Sequence, residues 1–333
     1  MKAAYIDRYG PNDVVNVGFL PQPQPGPHDL LVRVRAASVN PIDLAIRSGR
    51  LRPILPYKLP LTLGSDLSGE VVAVGSAVTR FAVGDEVFAR LDKDRIGAFA
   101  EYALVGEKEA AHKPARLTHT EAASIPLVGL TAWQALTELG HVSRGQKVLI
   151  QAGSGGVGSI AIQLARSLGA EVATTVSERN AALVRELGAQ TVIDYRTQQF
   201  DEVLSQLDFV LDTQGGEVLA RSFKVLRRGG TLVTINGAPT PEAVRDRKLA
   251  WPVRLTLAAA HLKDNRLARR YHVNFAYLFM RPDGKQLELL GKMLQSGTLR
   301  PVIDRVFSLD ETREALAYSE TGRATGKVVI EVP

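Results

Sequence analysis

Residues 147–165, KVLIQAGSGGVGSIAIQLA, leave few folds open. An apolar run enters a cluster of glycines and a second apolar run leaves it. Gly153, Gly155 and Gly158 fit G-x-G-x-x-G. After a strand-like run, and opening a helix-like one, that pattern reads as a dinucleotide fingerprint. Its glycines permit a tight turn and a close backbone approach to a pyrophosphate. The helix N-terminus then offers unpaired N–H groups and a partial positive charge to that anion. A glycine turn required only for packing is the competing reading of the same residues.

The surrounding pattern favours the fingerprint. KVLIQA, EVATTV, TVIDY, DFVLDT and TLVTIN read as strands. GGVGSIAIQLARSLG, SERNAALVRELG, TQQFDEVLSQL and GEVLARSFKVLRRG read as the helices between them. Such alternation predicts a parallel sheet covered on both faces. Gly169, Gly188 and Gly229 stand where helix C-termini favour a left-handed residue.

Upstream, LLVRVRAASV (30–39) and GEVVAVGSAVTRFAVGDEVFAR (69–90) read as strands with glycine turns, and PQPQPGPHD (21–29) as a turn-rich connector. The β pattern returns after residue 297 in LRPVIDRVFSL and GKVVIEV. A chain of 333 residues exceeds what one core usually holds. The expectation is an α/β protein of two domains. A discontinuous β-rich domain spans 1–124 and 298–333, and a doubly wound parallel-sheet domain spans 125–297.

The absence of cysteine excludes disulfides, thiol catalysis and thiolate metal sites. His28, His112, His119, His141, His261 and His272 show no metal-ligand spacing, so structural roles are expected for them. The net charge of +6, from 41 basic and 35 acidic residues, is a small surplus. RDRK (245–248) and RLARR (266–270) read as solvated helix faces, and no nucleic-acid partner is expected. No apolar stretch is long enough to cross a bilayer, and MKAAYIDRYGP shows no basic-then-apolar leader. The corresponding expectation is a cytoplasmic protein without a membrane partner.

The residues after the second strand bear on which dinucleotide is held. About twenty residues past such a fingerprint an acidic side chain would bind the adenosine ribose. Here TTVSERN (174–180) places Ser177 at the strand end, with Arg179 after it. A hydroxyl and a guanidinium suit a 2′-phosphate, which a carboxylate would repel. Glu178 facing the ribose would select NAD; starting the next helix toward solvent, it leaves NADPH as the expected cofactor.

Several further segments carry a resemblance. They are ASVNPIDLAIRSG (37–49), LPLTLGSDLSGEVVAVG (59–75), VFAR followed by GAFAEYALV, HKPARLTHTEAASIPLVGLTAWQAL (112–136), AGSGGVGSIAIQLA, and LRPVIDRVFSLDETREALAYSETGRATGKVVI (299–330). In this order, and over nearly the whole chain, they resemble the zinc-free quinone oxidoreductase branch of the medium-chain dehydrogenase/reductase superfamily. HKPARLTHTEAAS with YHVNFAYLFM is similar to the reticulon-interacting oxidoreductase group within it.

The resemblance implies a GroES-like β-domain, a Rossmann domain, and a nicotinamide held in the cleft between them. It implies that Ser154, Gly155, Gly156 and Val157 line the pyrophosphate and that Ser177, Arg179 and Tyr195 surround the 2′-phosphate. Asn236 and Thr131 would flank the nicotinamide side, with Leu278, Phe279 and Lys327 as further cofactor contacts. Asn40 would be the polar residue at the cleft floor. Metal-dependent relatives place ligands where this chain has Asp43, Ser65 and Asp66, so no zinc is expected. Several quinone oxidoreductases carry a Tyr five residues beyond the Asn; this chain has Ala45 there, and Tyr57 is the substitute candidate.

The chemistry implied is hydride transfer from NADPH to a quinone or an α,β-unsaturated carbonyl. Charge developing on the acceptor oxygen calls for a donor, for which Asn40 is the candidate, with Asp43 orienting its loop. A non-enzymatic NADPH-binding sensor is the alternative. A homodimer is expected, with VRLTLAAAHL (253–262) as an apolar sheet edge in need of cover.

Overall fold

A computed structural model describes residues 1–237, 240 and 249–333, and RDRK lies outside the described residues. The chain forms two compact units, Met1–Leu130 with Arg281–Pro333, and Thr131–Met280.

The first unit opens with β1 (Lys2–Ile6), β2 (Val15–Phe19) and the long β3 (Asp29–Val39), followed by α1 (Pro41–Arg47). Pro41 occupies the first turn of α1, where its missing N–H costs nothing. Next come β4 (Leu61–Thr62), β5 (Asp66–Val74), β6 (Glu86–Arg90), β7 (Tyr102–Gly106), β8 (Ala110–His112), α2 (His119–Ala123) and α3 (Pro126–Trp133). β2, β1 and β4 make a small antiparallel sheet. The alternation legible in 30–39 becomes β3, which pairs with β5 and β7 at the centre of a larger sheet.

The second unit carries β9 (Lys147–Ile150), α4 (Gly156–Ser167), β10 (Glu171–Val176), α5 (Ala181–Leu187), β11 (Thr191–Asp194), α6 (Phe200–Val203), β12 (Leu207–Asp212), α7 (Gly216–Val225), β13 (Leu226–Thr234), α8 (Trp251–Tyr271) and β14 (Asn274–Tyr277). Its strands lie in the order β11-β10-β9-β12-β13-β14, and every pair is parallel. Leu149, Val210, Phe223 and Leu232 are fully buried in its core, so the strands read as continuous apolar runs.

Beyond residue 280 the chain returns to the first unit as α9 (Gly284–Gln295), β15 (Ile303–Ser308), α10 (Thr312–Glu320) and β16 (Lys327–Glu331). β16 pairs with β3, and the larger sheet runs β15-β16-β3-β5-β6-β8.

Three expectations are corrected. The first unit reclaims the chain from residue 281, because α9 packs on β8: the Gly284 N–H donates to Lys108 O at 2.7 Å, and a Cβ on Gly284 would lie 2.3 Å from Ala110 O. Gly229 does not stop a helix; α7 ends at Val225, and Gly229 (φ 77°) bends β13 while its N–H reaches His272 O. VRLTLAAAHL is no strand but the first half of α8, where Pro252 and three alanines favour helix. The strands at the two edges of the parallel sheet are β11 and β14.

Candidate functional site

β9 delivers the chain to the glycine loop where the strand order reverses, between β9 and β12. In doubly wound sheets ligands sit beyond the carboxyl ends of the strands at that reversal. The three glycines there differ in what requires them. A methyl on Gly153 would lie 2.2 Å from Thr174 Oγ1, and one on Gly158 2.3 Å from Ala152 O. Internal packing accounts for both. At Gly155 a Cβ would meet only Ala152 O, at 3.4 Å, and the φ of −78° suits any residue. The space beside Gly155 is therefore free for a group from outside. Gly155 also caps α4 without a side chain, so the first N–H groups of the helix have no acceptor within it. Such an end fits a diphosphate.

The loop is laced to β10. Ala152 N–H donates to Thr175 Oγ1 at 3.1 Å, Gly153 N–H to Thr175 O at 3.0 Å, and Thr175 Oγ1 to Gln151 Oε1 at 2.7 Å. Asn180 Nδ2 donates to Ser154 Oγ at 3.0 Å. Sequence reasoning missed Thr175 and Asn180, since neither type nor spacing marks them. In register, Thr234 faces both Asp212 and Tyr277, and its hydroxyl donates to Asp212 Oδ2 at 2.7 Å. A polar row thus crosses the C-terminal ends of the strands. Burial pushes the Asp212 carboxyl above its usual range, against the donors Thr234, Gly215 and Gln214.

The expected 2′-phosphate residues gather at neighbouring strand ends. Ser177 closes β10 and is buried, Arg179 is exposed on the short turn Glu178–Asn180, and Glu178 is exposed beside it. Tyr195 follows β11, is 61% exposed, and donates its N–H to Val176 O at 3.3 Å. Farther along the same edge, exposed Asn236 donates from Nδ2 to Gln214 O at 2.8 Å. Leu278 is buried with its N–H on Thr234 O at 2.9 Å, half-buried Phe279 follows it, and Thr131 is buried in α3.

In the first unit, Asn40 and Asp43 enter one buried network at the start of α1. Asp43 Oδ2 accepts the Asn40 N–H at 2.8 Å, and Oδ1 accepts Ser65 Oγ–H at 2.9 Å. Asn40 Nδ2 donates to Ser38 O at 3.2 Å and Asp66 Oδ2 at 2.9 Å, while its Oδ1 accepts from Lys327 Nζ at 2.5 Å. Lys327 Nζ also donates to Val39 O at 2.8 Å and lies 3.8 Å from Asp66 Oδ2. Asp66 further accepts Ser38 Oγ–H and the Leu127 N–H, each at 3.0 Å.

This geometry bears on two sequence expectations. Both amide protons of Asn40 are committed inside the protein, so it is a keystone of the network and not a free donor to an acceptor oxygen. The Lys327 ammonium is likewise engaged inside the first unit, by Val39 O, Asn40 Oδ1 and Asp66. Burial is the reason in each case: Asn40 is 1% exposed and Lys327 5%, and a buried polar group takes the partners its fold supplies. Burial raises the Asp43 carboxyl to about 6, against the lowering donors Asn40 and Ser65. It pushes Asp66 up and Lys327 down, and their mutual attraction opposes both shifts.

Tyr57 does not present a free phenol: its hydroxyl donates to Lys93 O. His119 bridges Ser68 Oγ at 2.9 Å and Glu86 Oε1 at 3.0 Å. Among the described residues no group of three His, Cys, Asp or Glu side chains is placed to hold a metal ion.

Residues 26–115 match the family described as "Alcohol dehydrogenase GroES-like domain", and residues 187–330 the family described as "Zinc-binding dehydrogenase". The chain is 36% identical to the mitochondrial NAD(P)H oxidoreductase RTN4IP1 of Mus musculus, over 100% of this chain and 89% of that protein. It is 34% identical to 2-methylene-furan-3-one reductase of Solanum lycopersicum, over 99% and 79% of the two. The solved quinone oxidoreductase of Coxiella burnetii superposes with a TM-score of 0.86 at 34% identity, covering 100% of this chain and 99% of that one.

Proposed function

The chain belongs to the medium-chain dehydrogenase/reductase superfamily, and we propose that it is a zinc-independent, NADPH-dependent oxidoreductase that reduces quinones or α,β-unsaturated carbonyls. The single observation that carries the reading is the loop after β9. Its outer glycines are required by packing, while Gly155 leaves room for a ligand at an uncapped helix N-terminus. Bound there, NADPH would supply a hydride. Gly156 and Val157 would hold the diphosphate by backbone N–H groups in the space that Gly155, its own N–H on Ala152 O, leaves open, and Asn180 would fix Ser154 beside it. Ser177, Arg179 and Tyr195 would receive the 2′-phosphate, which supports NADPH over NADH.

Zinc independence is supported by the donor chemistry. Asp43, Ser65 and Asp66 spend their oxygens on one another's neighbours and on the Lys327 ammonium. The commitment of both Asn40 protons favours quinones over enones, because a quinone accepts hydride with less help at its oxygen. The relatives named as quinone oxidoreductase and 2-methylene-furan-3-one reductase support the two acceptor classes. The test is NADPH oxidation against a panel of quinones and conjugated enones, repeated with NADH and with a chelator. NADPH-preferring, chelator-insensitive turnover is expected. No oxidation with any acceptor, despite NADPH binding, would leave a sensor protein as the correct reading.

A further inference from the structure

The apolar run 253–262 and the basic run 266–270, neither used by the sites above, fall on the same helix, α8. α8 buries Leu257, His261 and Ala268. At about 100° per residue, Trp251, Leu255 and Leu262 share a narrow stripe about 120° around the helix from that buried face and ~17 Å long. They are 73%, 60% and 53% exposed. Arg254, Lys263, Arg266, Arg269 and Arg270 are exposed around and beyond this stripe. The helix carries one acid, Asp264, which is half-buried and whose carboxyl burial pushes upward.

We propose that α8 is a docking surface for anionic phospholipid membranes. The helix would lie in the plane of the interface, with Trp251, Leu255 and Leu262 entering the headgroup and acyl boundary and the arginines meeting lipid phosphates. Charge complementarity selects this occupant. A second copy would bring one cationic helix against another. A nucleic acid would satisfy the arginines and leave the aliphatic stripe without a partner. Among the described residues no helix is long and apolar enough to cross a membrane, so the contact is superficial. The expectation of no membrane partner rested on spans and did not address a surface contact. Docking would bring the enzyme to acceptors dissolved in a bilayer, yet it does not depend on the reading of the reaction.

The test uses the full chain without NADPH or acceptor, in flotation with vesicles of phosphatidylcholine alone or mixed equally with phosphatidylglycerol. Binding is expected to the mixed vesicles only, and to weaken with salt. In a Trp133→Phe background, emission of Trp251 should shift to the blue on binding. Leu255→Gln with Leu262→Gln should weaken binding by about tenfold, and Arg266→Glu with Arg269→Glu and Arg270→Glu should abolish it, with NADPH affinity unchanged as the check of folding. Absent flotation, equal binding to neutral vesicles, or indifference to the leucine changes would overturn the proposal. So would a leucine variant that turns a dimer into a monomer, which would make the stripe a contact between copies. Duplex DNA bound as tightly and released only by the arginine changes would overturn it in favour of a nucleic acid.

Discussion

Lys327 and Asn40 stand 287 residues apart in sequence, and the ammonium of the first donates to the side-chain oxygen of the second at 2.5 Å. The last strand of the chain thereby fastens the residue that starts α1. Asp66, fully buried, completes the arrangement by accepting from Asn40. Removing the cation would strip a buried carboxylate of its main counter-charge, leaving only the weaker influence of Arg90. Lys327→Met should therefore lower the unfolding free energy by about 3–5 kcal/mol. Urea denaturation checks this. At a temperature where the variant is folded, its NADPH affinity should match wild type, because Lys327 is turned inward.

Asp43 makes stability depend on pH in an unusual direction. Burial raises its carboxyl to about 6 from an ordinary 3.8. The native state then holds that proton more tightly than the unfolded chain, so its contribution falls as pH rises between about 4 and 6. The shift corresponds to about 3 kcal/mol at most. Asp43→Asn should lose this component, so the stability of the variant relative to wild type should grow as pH rises from 4 to 6. Parallel profiles across that window would show that Asp43 titrates normally.

Arg179→Ala should weaken NADPH binding by about tenfold or more, the equivalent of losing one charge-assisted hydrogen bond. NADH binding should hardly change. Fluorescence titration with both cofactors decides it, and equal losses would mean that Arg179 supports the turn and not the phosphate.

The fingerprint glycines should separate into two classes. Gly158→Ala places a methyl against the Ala152 carbonyl and should destabilise the second unit by about 1–3 kcal/mol. Gly155→Ala meets ordinary contact distances, so its melting temperature should stay close to wild type while NADPH affinity falls. Thermal melts with and without NADPH distinguish the two. A Gly155→Ala protein with normal affinity would mean that the dinucleotide does not use that space.

The parallel sheet and its glycine loop were legible because buried strands announce themselves as apolar runs and helix starts as glycine clusters. The positions of Ser177 and Arg179 just past β10 were legible from the strand that precedes them, whereas Tyr195 entered only through the family resemblance. The network around Asn40 was not. Its partners come from β3, β5 and β16, and no local pattern records that a lysine in the last strand closes on an asparagine in the first third. α8 was misread because an alanine- and leucine-rich run serves a helix or a buried strand until its packing is known. The bend at Gly229 failed for a similar reason: a left-handed glycine after a helix and one within a strand look alike in sequence.

The return of the chain beyond residue 280 has a consequence for biosynthesis. β16 lies between β15 and β3, pairing Val328 with Val39 and Glu331 with Ala36. As the ribosome emits the polypeptide, the second unit has all its strands once residue 277 is out. The first unit must wait, with the 36–39 end of β3 uncovered beyond its pairing with β7, until residues 327–331 have emerged. A nascent protein stalled or truncated shortly before Lys327 would carry a finished Rossmann unit joined to an open sheet, and that edge is what a chaperone would have to shield.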